Sequence, residues 1–191
     1  AIAQALESLV SKKSNEKSVN YALESLKVST KNFISFLDKP DMKNAAEMSI
    51  AANFAGKAIN ISKTTVPHAV SYPFTSLYNI SHGHAVSLFF EKFFKFNYLN
   101  LEKSETSFNV VDRYDLIFDL FGVRNIDEFC SKIRLIKKKS LLEDNLFKLN
   151  INIKNDIDSV IKGVNLLRLG NNPIKISEKN IINIISNTYD Y

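Results

Sequence analysis

The three histidines of this chain, His68, His82 and His84, all lie within one stretch of 17 residues. Neutral imidazole is a common ligand for zinc and ferrous iron, so such a cluster is a candidate metal site. Two or three imidazoles do not complete a site, because these ions normally take three or four protein ligands, often with a carboxylate. The histidines therefore predict part of a metal site, and their spacing does not identify the metal.

Two simpler interpretations apply to the same residues. A histidine near apolar residues is usually a hydrogen-bonded member of the core, and His82-Gly83-His84 also resembles an ordinary surface pair. On either interpretation the chain is a non-catalytic helical module, such as a protein-interaction domain, which binds no metal. Spacing alone leaves these alternatives and the metal site open.

The backbone between His68 and His82 decides whether the two rings can meet. On one continuous helix, residues this far apart in the sequence would be separated by roughly 21 Å. Pro73 and the Asn79-Ile80-Ser81 segment predict that the helix is interrupted and that the chain reverses at Pro73. Gly83 then allows a close backbone approach at the start of the next helix. We therefore expect both imidazoles to converge on one point.

The elements that position these residues are helical in pattern, which predicts one all-α domain, a helical bundle of residues 1–191. The alanine-rich segment 42–61 predicts a long, mostly buried helix in which Gly56 marks close packing against a neighbour. No sustained alternation indicates a strand, and the best candidate, 149–153, is weak. Further helices are predicted at 82–96, 111–121, 126–136, 141–149, 157–164 and 178–188.

Composition limits the classes of function. The formal net charge is +5, but the lysines are dispersed, and we interpret the run Lys137-Lys138-Lys139 as a solvated helix end rather than a nucleic-acid patch. The five glycines are not clustered, which excludes a glycine-rich loop that binds dinucleotide phosphates. No apolar run approaches the ~20 residues of a membrane span. The single cysteine, Cys130, favours a reducing compartment, so we expect a cytoplasmic protein without membrane or nucleic-acid partners.

Three segments carry a resemblance to a known family. His68, a following proline and His82-Gly83 are similar to the signature of the iron-containing alcohol dehydrogenases, which are related in fold to dehydroquinate synthase and glycerol dehydrogenase. Residues 48–58 match the alanine-rich helix of that family. The segment Arg168-Leu169-Gly170-Asn171-Asn172-Pro173 resembles its Asn-Asn-Pro ending. The resemblance covers most of the chain and is generic between about residues 100 and 165.

This resemblance implies the C-terminal helical domain of a dehydroquinate synthase-like fold. It implies a metal-dependent, NAD(P)-linked alcohol dehydrogenase or aldehyde reductase, in which Fe²⁺ or Zn²⁺ polarises the alcohol or carbonyl oxygen for hydride transfer. The nucleotide-binding α/β domain would precede residue 1 and is absent from this chain. We therefore expect the chain to be inactive by itself, with NAD(P) bound only by the full-length protein.

The resemblance also assigns residues. His68 and His82 correspond to two metal ligands, Gln4 occupies the position of a third, histidine ligand, and the fourth, an aspartate, would immediately precede Ala1. Some members carry a histidine where this chain has Tyr72, so we expect catalytic roles for Tyr72 and His84. A subgroup with His-Gly-His-Ala-Val and Ser-Tyr-Pro includes reductases of phosphonate-bearing aldehydes. The expected substrate is a small alcohol or aldehyde, with an anionic or phosphonate-bearing one as a candidate, and a homodimer is a candidate assembly.

Overall fold

The computed structural model describes residues 1–186, which form eleven α-helices and one short 3-10 helix, Leu101–Lys103. Within this range only an isolated bridge joins two extended residues, Ser104 and Ile174, so the predicted all-α fold is confirmed. Positions 187 and 188 of the last predicted helix lie outside the described residues. The helices are α1 (Ile2–Val10), α2 (Glu16–Asp38), α3 (Met42–Ser62), α4 (Val66–Tyr78), α5 (His82–Ser87), α6 (Phe90–Tyr98), α7 (Val110–Phe121), α8 (Ile126–Lys139), α9 (Ile153–Lys162), α10 (Leu166–Leu169) and α11 (Glu178–Ser186).

Helices α2 and α3 form a long hairpin against which α1 packs. A capping box starts α2, in which the side chains of Asn15 and Ser18 each bond the backbone of the other. Asp41 caps α3 by accepting a hydrogen bond from the backbone N–H of Asn44. Because both helix starts are satisfied locally, the turn between the helices is short and α3 runs back along α2.

Helix α3 is less buried than the sequence predicts. Its buried residues form one narrow stripe, Ala51, Ala55, Ala58 and Ser62, and Ile50 on another face is 47% exposed. Gly56 is exposed, and a Cβ atom added there would meet nothing within 4 Å. The expectations of a mostly buried helix and of close packing at Gly56 were wrong, because the buried residues form a single contact face and the other faces are partly or fully exposed.

Helix α4 continues through Pro73 instead of ending there. A proline at this position cannot donate a hydrogen bond to the carbonyl of Ala69. That carbonyl accepts one from the backbone N–H of Asn165 at 3.1 Å instead, so the proline leaves no buried acceptor unsatisfied. The chain reverses at Asn79, which is left-handed with φ 53° and ψ 32°. The predicted reversal exists, but its place was wrong.

Two other predicted elements were also wrong. The helix at 82–96 is divided into α5 and α6, and the segment 141–149 forms turns instead of a helix. In that segment Leu146 is buried whereas Leu141 and Phe147 are 91% and 79% exposed, so its apolar residues share no helical face. The residues 149–153 form no strand, because Asn150 has φ 57° and Ile153 begins α9.

The core consists of two clusters that meet along α5 and α6. One is centred on Phe94, Tyr114 and Phe129 among α1, α2, α3, α6, α7 and α8, and the Tyr114 hydroxyl donates a hydrogen bond to the Phe94 carbonyl at 3.1 Å. The other surrounds Phe74 and Phe93 and includes residues of α4, α5, α9 and α11. None of the helices described has both the length and the apolarity to cross a bilayer. The two clusters fix α4 and α5, which carry the histidines.

Two glycines, Gly56 within α3 and Gly163 directly after α9, give opposite predictions for substitution by alanine. Gly56→Ala adds a methyl group in open space and should raise the free energy of unfolding by about 0.5–1 kcal/mol, because alanine restricts the unfolded chain. Gly163→Ala places Cβ 2.9 Å from Cβ of Pro73 and should lower it by about 1–3 kcal/mol. Urea denaturation of both variants measures the difference, and an equal effect at both positions would contradict this packing of α4 against α9.

Candidate metal and active site

A buried carboxylate orients His68. The Nδ1 atom of His68 lies 2.5 Å from Oε1 of Glu7, a residue with no solvent exposure near the end of α1. The other oxygen, Oε2, accepts hydrogen bonds from the backbone N–H of Thr65 at 2.7 Å and from its hydroxyl at 2.9 Å. An ionised carboxylate only accepts, so Nδ1 carries the proton and the lone pair of Nε2 is available.

His82 stands at the start of α5, directly beside His68. The centroids of the two rings are 5.3 Å apart and the planes are inclined by 62°. The His82 side chain is largely exposed, but the part of it that is buried against the protein lowers its pKa. Electrostatic effects of His68 and Arg168 lower the pKa further, whereas the negative charge of Glu7 raises it. A lowered pKa favours the neutral ring, which is the form that ligates a metal.

A cavity of about 410 Å³ brings the three expected ligands together, since Gln4, His68 and His82 all line it. The remaining wall is mostly apolar and includes Phe33, Met48, Val86, Phe90, Ile133 and Leu142. Among residues 1–186 no group of three or more histidine, cysteine, aspartate or glutamate side chains could hold a metal. The chain therefore supplies two imidazoles and one amide oxygen, a ligand set that suits Fe²⁺ or Zn²⁺ but is one strong ligand short.

Tyr72 borders His82, with ring centroids 5.9 Å apart, but is not among the residues that line this cavity. Its phenol oxygen accepts a hydrogen bond from Nε of Arg168 at 2.8 Å, and the guanidinium lies 5.6 Å from the centre of the tyrosine ring. Arg168 also donates from Nη1 to the hydroxyl of Thr64. The structure thus places Tyr72 beside the histidines and adds an arginine to which the sequence analysis gave no role.

Comparison with known proteins decides the family. The family model described as "Fe-containing alcohol dehydrogenase family, C-terminal" matches residues 1–189 of the chain. This chain belongs to the iron-containing alcohol dehydrogenase family. The resemblance inferred from the histidine segment is therefore confirmed.

Individual relatives agree with this assignment. The 4-hydroxybutyrate dehydrogenase of Clostridium kluyveri is 26% identical over 99% of this chain and 51% of its own length. The phosphonoacetaldehyde reductase of Streptomyces viridochromogenes is 33% identical over 61 residues, which are 32% of this chain and 15% of that protein. The crystal structure of sulfoacetaldehyde reductase from Bifidobacterium kashiwanohense in complex with NAD⁺ is similar in fold, with a TM-score of 0.84 and 23% identity over 99% of this chain and 48% of that one. The chain thus spans about half the length of the Clostridium and Bifidobacterium proteins.

Hydrogen bonds from Asn171 and Asn172 hold the C-terminal segment beside the site. The Asn171 amide donates to the carbonyls of Ser62 at 2.8 Å and of Thr64 at 3.0 Å, at the connection between α3 and α4. The side chains of Asn172 and Asn97 donate to each other. These buried hydrogen bonds hold α10, which carries Arg168, against α4.

The structure does not bring His84 to the cavity. Its Nε2 atom lies 2.5 Å from the carbonyl oxygen of Glu143, and His84 is absent from the cavity wall. Residues two positions apart on a helix point roughly 200° away from each other, so His84 faces away when His82 faces His68. Of the two catalytic candidates taken from the sequence, only Tyr72 is therefore adjacent to the histidine pair.

A buried ion pair forms part of the cavity wall. The Lys137 ammonium lies 2.8 Å from Oε1 of Glu91 and 3.1 Å from Oδ2 of Asp144, and the Lys137 and Glu91 side chains are only 5% and 3% exposed. The interpretation of Lys137 as a solvated residue was wrong. The spacing of Phe129, Ile133 and Lys137 in steps of four indicates that Lys137 is buried, because residues at this spacing share one face of a helix and all three lie on the buried face of α8.

Replacing Glu7 by glutamine should reverse the tautomer of His68. The amide oxygen can still accept from Thr65, but the amide nitrogen donates to Nδ1, so the imidazole proton moves to Nε2. Nitrogen-15 NMR of the histidine side chains should detect protonated Nδ1 in the wild type and protonated Nε2 in Glu7→Gln. Metal affinity should fall by about ten- to a hundredfold.

The control for this exchange is Glu24→Gln, at an exposed glutamate paired with Lys27 on α2. It makes the same chemical change away from the site and should leave the His68 spectrum unaltered. A Glu7→Gln variant that keeps the proton on Nδ1 would show that Glu7 does not determine the tautomer.

Lys137→Met should lower the free energy of unfolding by about 3–5 kcal/mol, because it leaves the buried Glu91 carboxylate without its counter-ion. Lys138→Met, at the exposed next residue, should change it by no more than about 0.5 kcal/mol. The double variant Lys137→Met, Glu91→Leu should recover much of the loss, since no buried charge then remains. Equal urea midpoints for the two single variants would contradict the pairing.

Proposed function

We propose that this chain is the metal- and substrate-binding half of an NAD(P)-linked alcohol dehydrogenase or aldehyde reductase. The observation that carries the proposal is the convergence of His68 and His82 beside one cavity that Gln4 also lines. The bond from Glu7 supports it further, because it leaves the Nε2 lone pair of His68 available, as metal-ligating histidines require.

In this proposal His68 and His82 hold Fe²⁺ or Zn²⁺, and the amide oxygen of Gln4 is a third, weaker ligand. Ala1 lines the same cavity, so a residue immediately before it, where the family resemblance expects an aspartate, would also lie close to the ion. A divalent metal bound there supplies the Lewis acidity that polarises an alcohol or carbonyl oxygen. Hydride exchange is the chemistry of the nicotinamide, which the dispersed glycines of this chain are not suited to bind.

Tyr72 contributes a hydrogen-bond donor beside the pair of histidines. Its oxygen accepts from Arg168, which directs the phenol proton away from the guanidinium. A tyrosine is a poor base at neutral pH, so its role is to donate to a bound substrate and orient it. His84 has no part in this proposal, because its ring is bound to the Glu143 carbonyl.

The relatives support a substrate class. 4-Hydroxybutyrate, phosphonoacetaldehyde and sulfoacetaldehyde, which appear in their names, each carry an alcohol or aldehyde oxygen at one end and an anionic group at the other. We extend this class to the present chain and propose a small anionic aldehyde, reduced to its alcohol or formed from it. Turnover would require the nicotinamide-binding half, so the chain by itself should be inactive.

A second candidate function is that of a helical domain whose metal site is degenerate. Gln4 favours it, because glutamine is a weaker ligand than the histidine that the family has at this position. On this alternative the fold persists without metal and the histidines contribute only packing and hydrogen bonds.

Metal titration distinguishes the two candidates. The purified chain should bind one equivalent of Zn²⁺ or, without oxygen, Fe²⁺ in calorimetric titration, and His68→Ala or His82→Ala should abolish this binding. His84→Ala is the matched control and should bind as the wild type does. Gln4→His should raise the affinity, because it adds a third imidazole to the same cavity. A folded wild-type chain that binds no stoichiometric metal would support the degenerate site.

A further inference from the structure

We propose that Arg168 and Tyr72 form an anion-binding subsite that holds the charged end of the substrate while its oxygen end faces His68 and His82. This inference rests on the proposed function and adds the residues that would select an anionic substrate over a neutral one. Its starting point is a guanidinium at the site whose charge has no carboxylate partner in residues 1–186.

The hydrogen bonds of Arg168 leave most of its donors available. Nε–H donates to the Tyr72 oxygen and one Nη1–H to the Thr64 hydroxyl, so three of the five N–H groups have no acceptor in residues 1–186. Arg124, by contrast, uses its guanidinium and its backbone N–H to bind one carboxylate, that of Glu128. A half-buried guanidinium with unused donors is suited to bind an external oxyanion through two parallel hydrogen bonds.

Tyr72 adds a donor at the same place. Because its oxygen accepts from Arg168, its own O–H is directed elsewhere, and within the described part of the chain no acceptor receives it. Its ring lies 5.9 Å from that of His82, which in turn lies 5.3 Å from that of His68. The three rings are thus neighbours, which suits a small molecule with a carboxylate, sulfonate or phosphonate at one end.

The other charged groups near the site cannot perform this role. Lys137 is the cation of the cavity wall, but its ammonium already contacts Glu91, Asp144 and, at 3.4 Å, the carbonyl of Ser87. The carboxylate of Glu7 does not neutralise Arg168 by contact, because Thr65 and His68 occupy both of its oxygens. Arg168 is therefore the cation whose charge is left for a ligand.

Binding of a matched pair of small molecules tests the subsite. 4-Hydroxybutyrate and neutral 1,4-butanediol have the same length and differ in the charge of one end. NMR titrations of the zinc-loaded chain should give tighter binding of 4-hydroxybutyrate, and Arg168→Gln should weaken that binding by about ten- to a hundredfold. The affinity for 1,4-butanediol should stay the same in the variant. Tyr72→Phe should weaken binding of the anion several-fold, which keeps the test open if Arg168→Gln fails to fold.

Arg113→Gln is the matched control. Arg113 is another half-buried arginine, packed 4.8 Å from the centre of the Phe108 ring, and it lies on α7 away from the site. The Arg113→Gln variant loses the same positive charge as Arg168→Gln, so a general effect of net charge would weaken binding of the anion equally in both variants. Equal weakening, or equal binding of the two ligands to the wild type, would overturn the proposal.

Two further outcomes separate the possible causes of failure. ADP represents the phosphates of the cofactor, and if Arg168→Gln weakens binding of ADP but not of 4-hydroxybutyrate, Arg168 belongs to the cofactor site and the proposal falls. Metal content is measured on the same samples. A chain that holds zinc but binds 4-hydroxybutyrate independently of Arg168 overturns this inference alone, whereas a folded chain without zinc overturns the proposed function.

Discussion

The buried carboxylate of Glu7 is the interaction on which the rest of the site depends. Burying a carboxylate costs free energy unless hydrogen-bond donors surround it. Both oxygens of Glu7 have donors, which are the backbone N–H and the hydroxyl of Thr65 and the Nδ1–H of His68. These bonds join the end of α1 to the start of α4. They also orient the His68 ring, so one group determines both a helix contact and the direction of the Nε2 atom of His68.

The second constraint is the way in which the C-terminal segment closes over α4. The N–H of Asn165 replaces the helical donor that Pro73 lacks, and Asn171 bonds the carbonyls of Ser62 and Thr64. Through these contacts the residues that follow α9 pack against α4 near Pro73. Arg168 belongs to this segment, so the same bonds hold it within reach of Tyr72.

The site thus has two sides of different chemistry. On one, an apolar cavity contains the imidazoles, the Gln4 amide and the neutralised Lys137 ammonium. On the other, Tyr72 and Arg168 present polar donors beside His82. The mostly apolar wall lowers the local dielectric constant, which strengthens electrostatic interactions. The polar side offers the charge of Arg168, which no carboxylate among residues 1–186 contacts. Such a division suits a ligand with a reactive oxygen at one end and a charge at the other.

The sequence by itself determined the helical class, most of the helices and the two histidines that we propose as metal ligands. Helical periodicity is a local property, and the His68–His82 spacing resembles the pattern of the family, from which Gln4 departs. Predictions from local sequence patterns failed where a residue distant in the sequence changed the local structure or burial. Pro73 stays in a helix because of Asn165. Lys137 is buried because of Glu91. Segment 141–149 lacks the common apolar face that would make it a helix.

Only the tertiary structure decided the contacts that orient the site. Glu7 and His68 are 61 residues apart, and Tyr72 and Arg168 are 96 apart. No spacing rule selects such partners, because the packing of whole helices determines which side chains meet. The sequence therefore supplied the chemical groups. The fold decided which nitrogen of His68 is available, which histidines line the cavity and which arginine lies beside them without a carboxylate partner among residues 1–186.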